Sequence, residues 1–181
     1  CGSKGSSDAG SDSSDAKTEE SASNGSFRTL DEIKESCTIN VGVFSDKSPF
    51  GYVDENGEYQ GYDVYFARRL AEDMGVELNL VSTEAANRIE YLQTGKVDII
   101  LANFTVTEER AQEVDFALHY MNVALGVVSP DSNVITTLAD WNKDDSLIVI
   151  AGTTAETYLL KEYPDIPLQK YDSYANAKNA L

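Results

Sequence analysis

The sequence predicts an α/β fold in which two lobes, each with a parallel sheet at its core, are joined by a hinge. Segments with the apolar patterns of β-strands alternate with segments of helical periodicity, once within residues 39–102 and again within residues 147–181. Strands separated by helices of this length pair in parallel, because the helix returns the chain to the same end of the sheet. The two units predict lobe 1 at residues 27–128 and lobe 2 at residues 129–181.

Lobe 1 has the order strand, helix, strand, helix, strand (βαβαβ). These elements are predicted at residues 39–43, 64–74, 76–80, 85–92 and 97–102. The stretch between the first strand and the first helix is rich in turn-forming residues. Gly75 and Gly95 follow the two helices, where a glycine in the left-handed conformation commonly ends a helix. Because ligands bind beyond the carboxyl ends of parallel strands, the loops after Val43, Val81 and Ala102 should line the crevice.

Lobe 2 opens a second unit of the same kind. The pattern predicts a strand at residues 147–151, a helix at residues 154–163 that Pro164 ends, and a strand at residues 168–171. Residues 174–181 then begin a helix that has no stop signal, so lobe 2 is expected to be truncated in this chain.

The composition argues against several classes of partner. The formal net charge is −17, and nucleic acid is not an expected partner because binding phosphates requires clustered Lys and Arg. One histidine and two cysteines are too few for a Cys/His zinc cluster, so neither a metal site nor a cofactor is expected. No apolar run approaches the roughly 18 residues of a membrane-spanning helix.

A helix start after the last strand of lobe 1 has the features of an anion clamp. Thr107 is a natural N-cap, and the helix that it caps places Arg110 in its first turn. Together with the Thr105 hydroxyl and exposed backbone N–H groups, a bidentate Arg110 would hold a carboxylate. The alternative is that Arg110 is a surface residue that pairs with Glu109 or Glu113.

A second helix start, in lobe 2, repeats this arrangement. Thr153 and Glu156 form a capping-box pair after a strand, and Gly152 permits a close approach of the backbone. Taken by itself, the pattern also fits an ordinary capped helix. Two such starts in two lobes favour one carboxylate held across a cleft.

A set of short motifs resembles that of the polar amino-acid-binding proteins of ABC importers, bacterial solute-binding protein family 3. The motifs are VGV at 41–43, SPF at 48–50, GYDV at 61–64, TVTEER at 105–110, VDF at 114–116 and GTT at 152–154. The resemblance covers residues 30–181 and implies a periplasmic-binding-protein-like fold that captures its ligand without bond making. No enzymatic activity is therefore expected.

The resemblance also implies roles for individual residues. Arg110 and Thr105 would hold the α-carboxylate of the ligand, and the backbone at Asn103 would flank its α-ammonium group. Phe104 belongs to the same loop. From lobe 2, the ligand would be covered by residues Gly152, Thr153 and Thr154.

Three departures from the usual family pattern bear on the specificity of the pocket. Lys47 stands where an aromatic residue often stacks on the ligand, Phe44 where a polar residue is common, and Tyr65 where an Asp is frequent. They imply that the pocket is not that of a lysine or arginine binder. The run EAANR at 84–88, with VF at 43–44 and ANFT at 102–105, resembles cysteine-, cystine- or acidic-amino-acid-binding members. Arg88 would then face the ligand side chain, or instead occupy a solvated position on its helix.

The first 26 residues are polar and are expected to form a flexible tether. Cys1-Gly2-Ser3 resembles the start of mature bacterial lipoproteins, whose first cysteine carries the lipid; a cloning or numbering boundary is the alternative. We therefore expect a lipid on Cys1 that anchors the protein at the outer face of the bacterial cytoplasmic membrane.

These observations predict an extracytoplasmic lipoprotein, monomeric, that binds a free polar amino acid and delivers it to an ABC importer permease by hinge closure. An amino-acid-sensing or adhesive surface lipoprotein is one alternative. A dehydratase of small cyclic acids on the same fold is another, and among the side chains expected in its cleft only Lys47 could serve as a general acid or base.

Overall fold

The computed structural model describes residues 27–141 and 144–181. Six α-helices and eight strands lie in these residues, in the order α1 (Leu30–Ser36), β1 (Thr38–Val43), β2 (Asp46–Lys47), β3 (Gly51–Val53), β4 (Tyr59–Gln60), α2 (Tyr62–Met74), β5 (Glu77–Ser82), α3 (Arg88–Gln93), β6 (Ile99–Ile100), α4 (Glu108–Ala111), β7 (Leu147–Ile150), α5 (Thr154–Glu162), β8 (Leu168–Tyr171) and α6 (Tyr174–Ala180). Short 3-10 helices occupy Ala85–Asn87 and Leu138–Asp140. The tether and the lipid on Cys1 lie outside the described residues and stay predictions.

The main sheet is parallel, as predicted, with the strand order β5, β1, β6. Its central strand β1 buries the face that carries Ile39, Val41 and Val43, and these residues have no exposed surface. Helix α2 covers the sheet with Val64 and Ala67, which are also fully buried. Burial of this apolar surface is the main stabilising contribution to the first unit, at roughly 25 cal/mol per Å² removed from water.

The glycines at the helix ends agree with the sequence, whereas the prediction for the strand at 97–102 and the prediction for the turn-rich stretch need correction. Gly75 and Gly95 have φ values of 68° and 69°, as expected for glycines that end helices. Pairing in β6 is confined to Ile99–Ile100, within the longer apolar run predicted at 97–102. The turn-rich stretch forms a small antiparallel sheet of β2, β3 and β4, whose strands are too short to show alternation in the sequence.

The second unit contains a two-stranded parallel sheet, β7 and β8, connected by α5. Helix α6 follows β8 and packs toward the first unit: the Ala175 N–H donates to the Asp46 carboxylate at 3.0 Å, and the rings of Tyr174 and Phe44 meet edge to face with centroids 5.5 Å apart. The boundary between lobes 1 and 2 remains a prediction.

Between the two units, the connecting segment at residues 117–130 contains no helix or strand. Several of its apolar side chains are exposed, among them Leu118, Val123, Leu125 and Val127. Within residues 27–141 and 144–181, none of the helices combines the length and apolar character that crossing a bilayer requires.

Gly61, which precedes α2, offers a test of how this helix is positioned. Its φ is 120°, and a Cβ added there would lie 2.3 Å from the carbonyl oxygen of Phe50. We expect Gly61→Ala to lower the free energy of unfolding by more than about 2 kcal/mol, because strain and a backbone clash add together. Urea unfolding followed by circular dichroism measures this change.

Gly57→Ala is the matched control. Gly57 has a φ of 82°, but no atom lies within 4 Å of an added Cβ. Only the left-handed conformation is penalised there, at about 1 kcal/mol. Equal losses in the two variants would show that the approach to Phe50 does not constrain the start of α2.

Candidate functional site

The loop at residues 102–105 leaves the carboxyl end of β6 and forms the centre of the site. Ala102 is fully buried, and Asn103 has a positive φ of 46°. The Asn103 N–H donates to the buried carboxylate of Asp63 on α2, at 3.0 Å. The loop is therefore held in one conformation by a side chain from another element. We call residues 102–105 the clamp loop.

Arg88, the first residue of α3, is only 3% exposed and donates to main-chain carbonyls on several segments. Its Nε contacts the Ala85 oxygen at 2.9 Å, Nη1 contacts the oxygens of Ala102 and Asn103 at 3.0 and 3.3 Å, and Nη2 contacts the Gly152 oxygen at 3.0 Å. The alternative of a solvated position on the helix is therefore wrong. Burial and the charge of Arg110 lower the pKa of Arg88 to about 10, so it stays charged at neutral pH.

Arg110 lies in the first turn of α4, as predicted, because the Thr107 hydroxyl accepts from its N–H at 3.2 Å. Its Nη1 donates to the Thr105 oxygen at 2.7 Å, and its Nη2 donates to the Gly152 oxygen at 3.0 Å. These donor contacts are made to main-chain oxygens rather than to the acidic neighbours on its helix. Burial lowers the pKa of Arg110 as well.

Phe104 contacts both guanidinium groups. The Cζ atoms of Arg88 and Arg110 lie 4.4 and 4.5 Å from the centroid of its ring. The negative face of an aromatic ring attracts each cation, which partly offsets the repulsion between the two. The ring also contacts Phe116, with centroids 5.4 Å apart.

Lys47 brings a third cation to the clamp loop. Its ammonium donates to the Asn103 side-chain oxygen at 2.6 Å and to the Tyr174 hydroxyl at 2.9 Å. The rings of Tyr174, Phe44 and Phe50 surround it, with centroids at 4.4, 5.3 and 5.3 Å. Burial, followed by the charge of Arg88, lowers the pKa of Lys47 to about 8.

The second unit contributes the start of α5. Thr153 caps this helix, accepting from the Glu156 N–H at 3.3 Å. The second bond of the predicted capping box has a different donor. The Glu156 carboxylate accepts from the Gly152 N–H at 2.8 Å and not from the Thr153 N–H. Gly152 has a φ of 74°, and an added Cβ would lie 2.5 Å from the Ala86 Cα, so only glycine lets this backbone pack against Ala86.

A cavity of about 1180 Å³ opens between these groups. The structure places most of the sequence-predicted residues on its wall, namely Lys47, Arg88, Asn103, Thr105, Arg110, Thr153 and Thr154. Phe44, Phe104 and Gly152 are not part of this wall, but each contacts at least one of the cations. Among the described residues, no cluster of His, Cys, Asp and Glu is arranged to hold a metal ion.

Two residues that belong to this arrangement were missed by the sequence analysis. Tyr174, the first residue of α6, contacts Lys47. The available signal was an aromatic side chain three residues after the end of β8. Asp63 supports the clamp loop, and its signal was a carboxylate four residues before Ala67, on the apolar face of α2.

Comparisons with known proteins agree with this geometry. The family model for bacterial extracellular solute-binding proteins, family 3, matches residues 39–176. The ABC transporter glutamine-binding protein GlnH of Bacillus subtilis is 31% identical over 185 residues, which cover 100% of this chain and 64% of that protein.

Two solved structures are similar over most of the chain. The solute receptor for L-cysteine of Neisseria gonorrhoeae has 52% identity and a TM-score of 0.82, and the match covers 85% of this chain and 63% of that one. The cysteine-binding protein from Campylobacter jejuni has 49% identity and a TM-score of 0.81, with coverages of 84% and 62%.

This chain thus spans slightly less than two thirds of the length of these three proteins. The parallel sheet and the family match over residues 39–176 point to the same fold. They confirm the predicted periplasmic-binding-protein-like α/β fold. The chain belongs to the bacterial extracellular solute-binding proteins of family 3.

Proposed function

We propose that this protein binds a polar amino acid of the cysteine, cystine, aspartate or glutamate type and delivers it to an ABC importer. The names of the similar proteins reported above describe cysteine or glutamine as their ligand, which supports an amino-acid ligand for this protein. The cations on the wall of the cavity support a ligand with a carboxylate and a side chain that accepts hydrogen bonds or carries negative charge.

One observation carries this proposal: two guanidinium groups meet at one oxygen atom. The Nη2 atoms of Arg88 and Arg110 each lie 3.0 Å from the Gly152 oxygen, which bridges them. A carboxylate oxygen is a stronger acceptor than a peptide oxygen and satisfies the same two donors. The α-carboxylate of an amino acid therefore fits between the arginines and the start of α5, in contact with Thr105 and Thr154 on the cavity wall.

Lys47 contacts the clamp loop at Asn103 and meets the ligand side chain in this proposal. Its ammonium is fixed by Asn103 and Tyr174, so an acceptor on the ligand gains an oriented donor. A thiolate or carboxylate is attracted there, whereas a guanidinium or ammonium side chain is repelled. The pocket thus favours cysteine or acidic amino acids over arginine and lysine.

Closure of the two lobes over the ligand completes the mechanism. The ligand docks on Arg110 and Thr105, residues Gly152, Thr153 and Thr154 cover it from lobe 2, and a permease recognises the closed form. A lipid on Cys1, the outer face of the bacterial cytoplasmic membrane and a monomeric state remain predictions from the sequence.

A dehydratase activity is a second candidate, and the lowered pKa of Lys47 is the observation that favours it. An amine with a pKa of about 8 is partly neutral near physiological pH and can accept a proton. Loss of water from a small cyclic hydroxy acid, followed by its change in absorbance and abolished by Lys47→Gln, would establish this activity in place of transport.

The proposed function is tested first by a thermal-shift screen of the twenty amino acids and cystine. A ligand at 100 times its dissociation constant adds roughly 2.7 kcal/mol to the free energy of unfolding. We expect a selective rise in melting temperature with cysteine, cystine, aspartate or glutamate. A rise with none of the compounds would contradict amino-acid binding by this chain.

Arg110→Ala tests the carboxylate clamp. We expect the affinity for the ligand found in the screen to fall by about 2 to 5 kcal/mol, because a desolvated charge pair is broken. Isothermal titration calorimetry measures the change. Arg69→Ala is the matched control, since the exposed Arg69 pairs with Glu72 and Asp73 on its own helix. Equal affinities in the Arg110 and Arg69 variants would remove the clamp from the mechanism.

The pH dependence of binding tests the role of Lys47. A ligand acceptor favours the charged ammonium, so the pKa of Lys47 rises in the complex above its value of about 8 in the free protein. The contribution of Lys47 to affinity is therefore complete well below pH 8 and is lost as the pH rises through the pKa of the complex.

Titrations from about pH 6 to pH 9.5 with wild type and Lys47→Gln measure this contribution. Ionisation of the α-ammonium group of the ligand, which Lys47 does not contact in this proposal, affects both proteins alike and cancels in the ratio of their affinities. We expect the ratio to be constant up to about pH 7 and to decrease above pH 8. A ratio that does not change with pH would show that the ammonium does not contact the ligand.

A further inference from the structure

Asp63 is a buried carboxylate to which the proposed function gives no direct role. It is the second residue of α2, and none of its surface is exposed. Burial of an ionisable group among Val64 and Ala67 is costly unless hydrogen bonds satisfy its oxygens. Both oxygens of Asp63 are satisfied, and their two partners lie on different segments of the chain.

The first partner is the clamp loop. The Asn103 N–H donates to Asp63 Oδ2 at 3.0 Å, and this residue is in the left-handed conformation, with φ of 46°. Such a conformation is unfavourable for a residue with a side chain and persists only when surrounding contacts fix it. Asn103 is also where Lys47 and Arg88 attach to the loop. The carboxylate thus fixes the point at which two of the three cations are anchored.

The second partner is the connecting segment. The Tyr120 hydroxyl donates to Asp63 Oδ1 at 2.7 Å, and the Tyr120 ring packs on Phe66 and Tyr62 of α2, with centroids 4.9 and 6.0 Å apart. The Tyr62 hydroxyl donates in turn to the Tyr120 backbone oxygen at 3.3 Å. Tyr120 is therefore the residue at which a segment without helix or strand is attached to the first unit.

We propose that Asp63 is a positioning residue that couples the clamp loop to the connecting segment. One carboxylate joins the backbone of the loop that receives the ligand to the segment that leads to lobe 2. Movement of Tyr120 away from α2 removes a donor from the carboxylate and loosens the hold on Asn103. In the reverse direction, a ligand that fixes Asn103 favours the docked position of Tyr120. The inference deepens the proposed function and rests on it.

A second contact between the same two segments supports this coupling. The Asn103 side-chain amide lies 3.7 Å from the sulfur of Met121, the residue after Tyr120. Burial raises the pKa of Asp63, whereas the bonds from Tyr120 and Asn103 and the nearby charge of Lys47 oppose that shift. The charged carboxylate is thus stabilised by the groups that it joins.

Tyr120→Phe is the central variant, because it removes only the hydroxyl donor and keeps the aromatic packing. We expect ligand affinity to fall about tenfold, as for loss of a hydrogen bond to a charged group. Tyr65→Phe is the matched control: the structure places this tyrosine on α2, 62% exposed and not among the residues that line the cavity, so the expectation that it bears on the pocket does not hold. It should leave the affinity unchanged. Equal affinities in Tyr120→Phe and wild type would overturn the coupling.

Substitutions at Asp63 separate positioning from general packing. Asp63→Asn retains both bonds, since the amide oxygen accepts from Asn103 and the amide group donates to the Tyr120 hydroxyl; we expect affinity within about threefold of wild type. Asp63→Ala loses both bonds and should bind at least tenfold more weakly. In that background Tyr120→Phe should have no further effect, whereas additive losses would contradict action through Asp63.

Hydrogen exchange of the Asn103 amide, measured without ligand, tests the coupling independently of the proposed function. We expect faster exchange in Tyr120→Phe than in wild type and Tyr65→Phe, with unchanged exchange in the β1 strand. Faster exchange in a protein that binds no amino acid would sustain the coupling and reject the proposed ligand. Unchanged exchange at Asn103 would reject the coupling whether or not a ligand binds.

Discussion

The guanidinium group of Arg88 joins three segments of the chain that are distant in sequence. Its donors contact main-chain oxygens of Ala85, of the clamp loop and of Gly152, so the start of α3, the end of β6 and the start of α5 meet at one buried charge. Removing a guanidinium group from water is costly, and the rigid fork of donors offsets this cost only when several acceptors are placed around it. The shape of the site and the stability of this charge therefore depend on each other.

The charged side chains that contact the clamp loop have a net positive charge, opposite in sign to the charge of the whole protein. The chain has a formal net charge of −17, yet Lys47, Arg88 and Arg110 converge on four consecutive residues. At physiological ionic strength, exposed charges are screened beyond about 8 Å, whereas partly buried charges are screened much less. The local field at the clamp loop is thus dominated by these three cations, and the acidic surface contributes mainly to solubility.

Most of the secondary structure followed from local patterns. The 3.6-residue periodicity predicted a helix at 64–74, and the structure has one at Tyr62–Met74. The caps at Thr107 and Thr153 form because each hydroxyl accepts from an N–H three residues further along the chain. The antiparallel strands β2, β3 and β4 were missed because two or three residues give no periodicity to detect.

The sequence by itself determined the main strands and helices of the two alternating units, the glycines and caps at several helix ends, and which loops lie at the carboxyl edge of the sheet. Each of these properties depends on residues close together in the chain. Only the tertiary structure decided that Lys47 meets Tyr174, that Arg88 is buried against Gly152, and that one carboxylate serves both Asn103 and Tyr120. These contacts join residues from 40 to 127 positions apart. Their geometry is fixed by how the units pack together, which no local pattern of residues encodes.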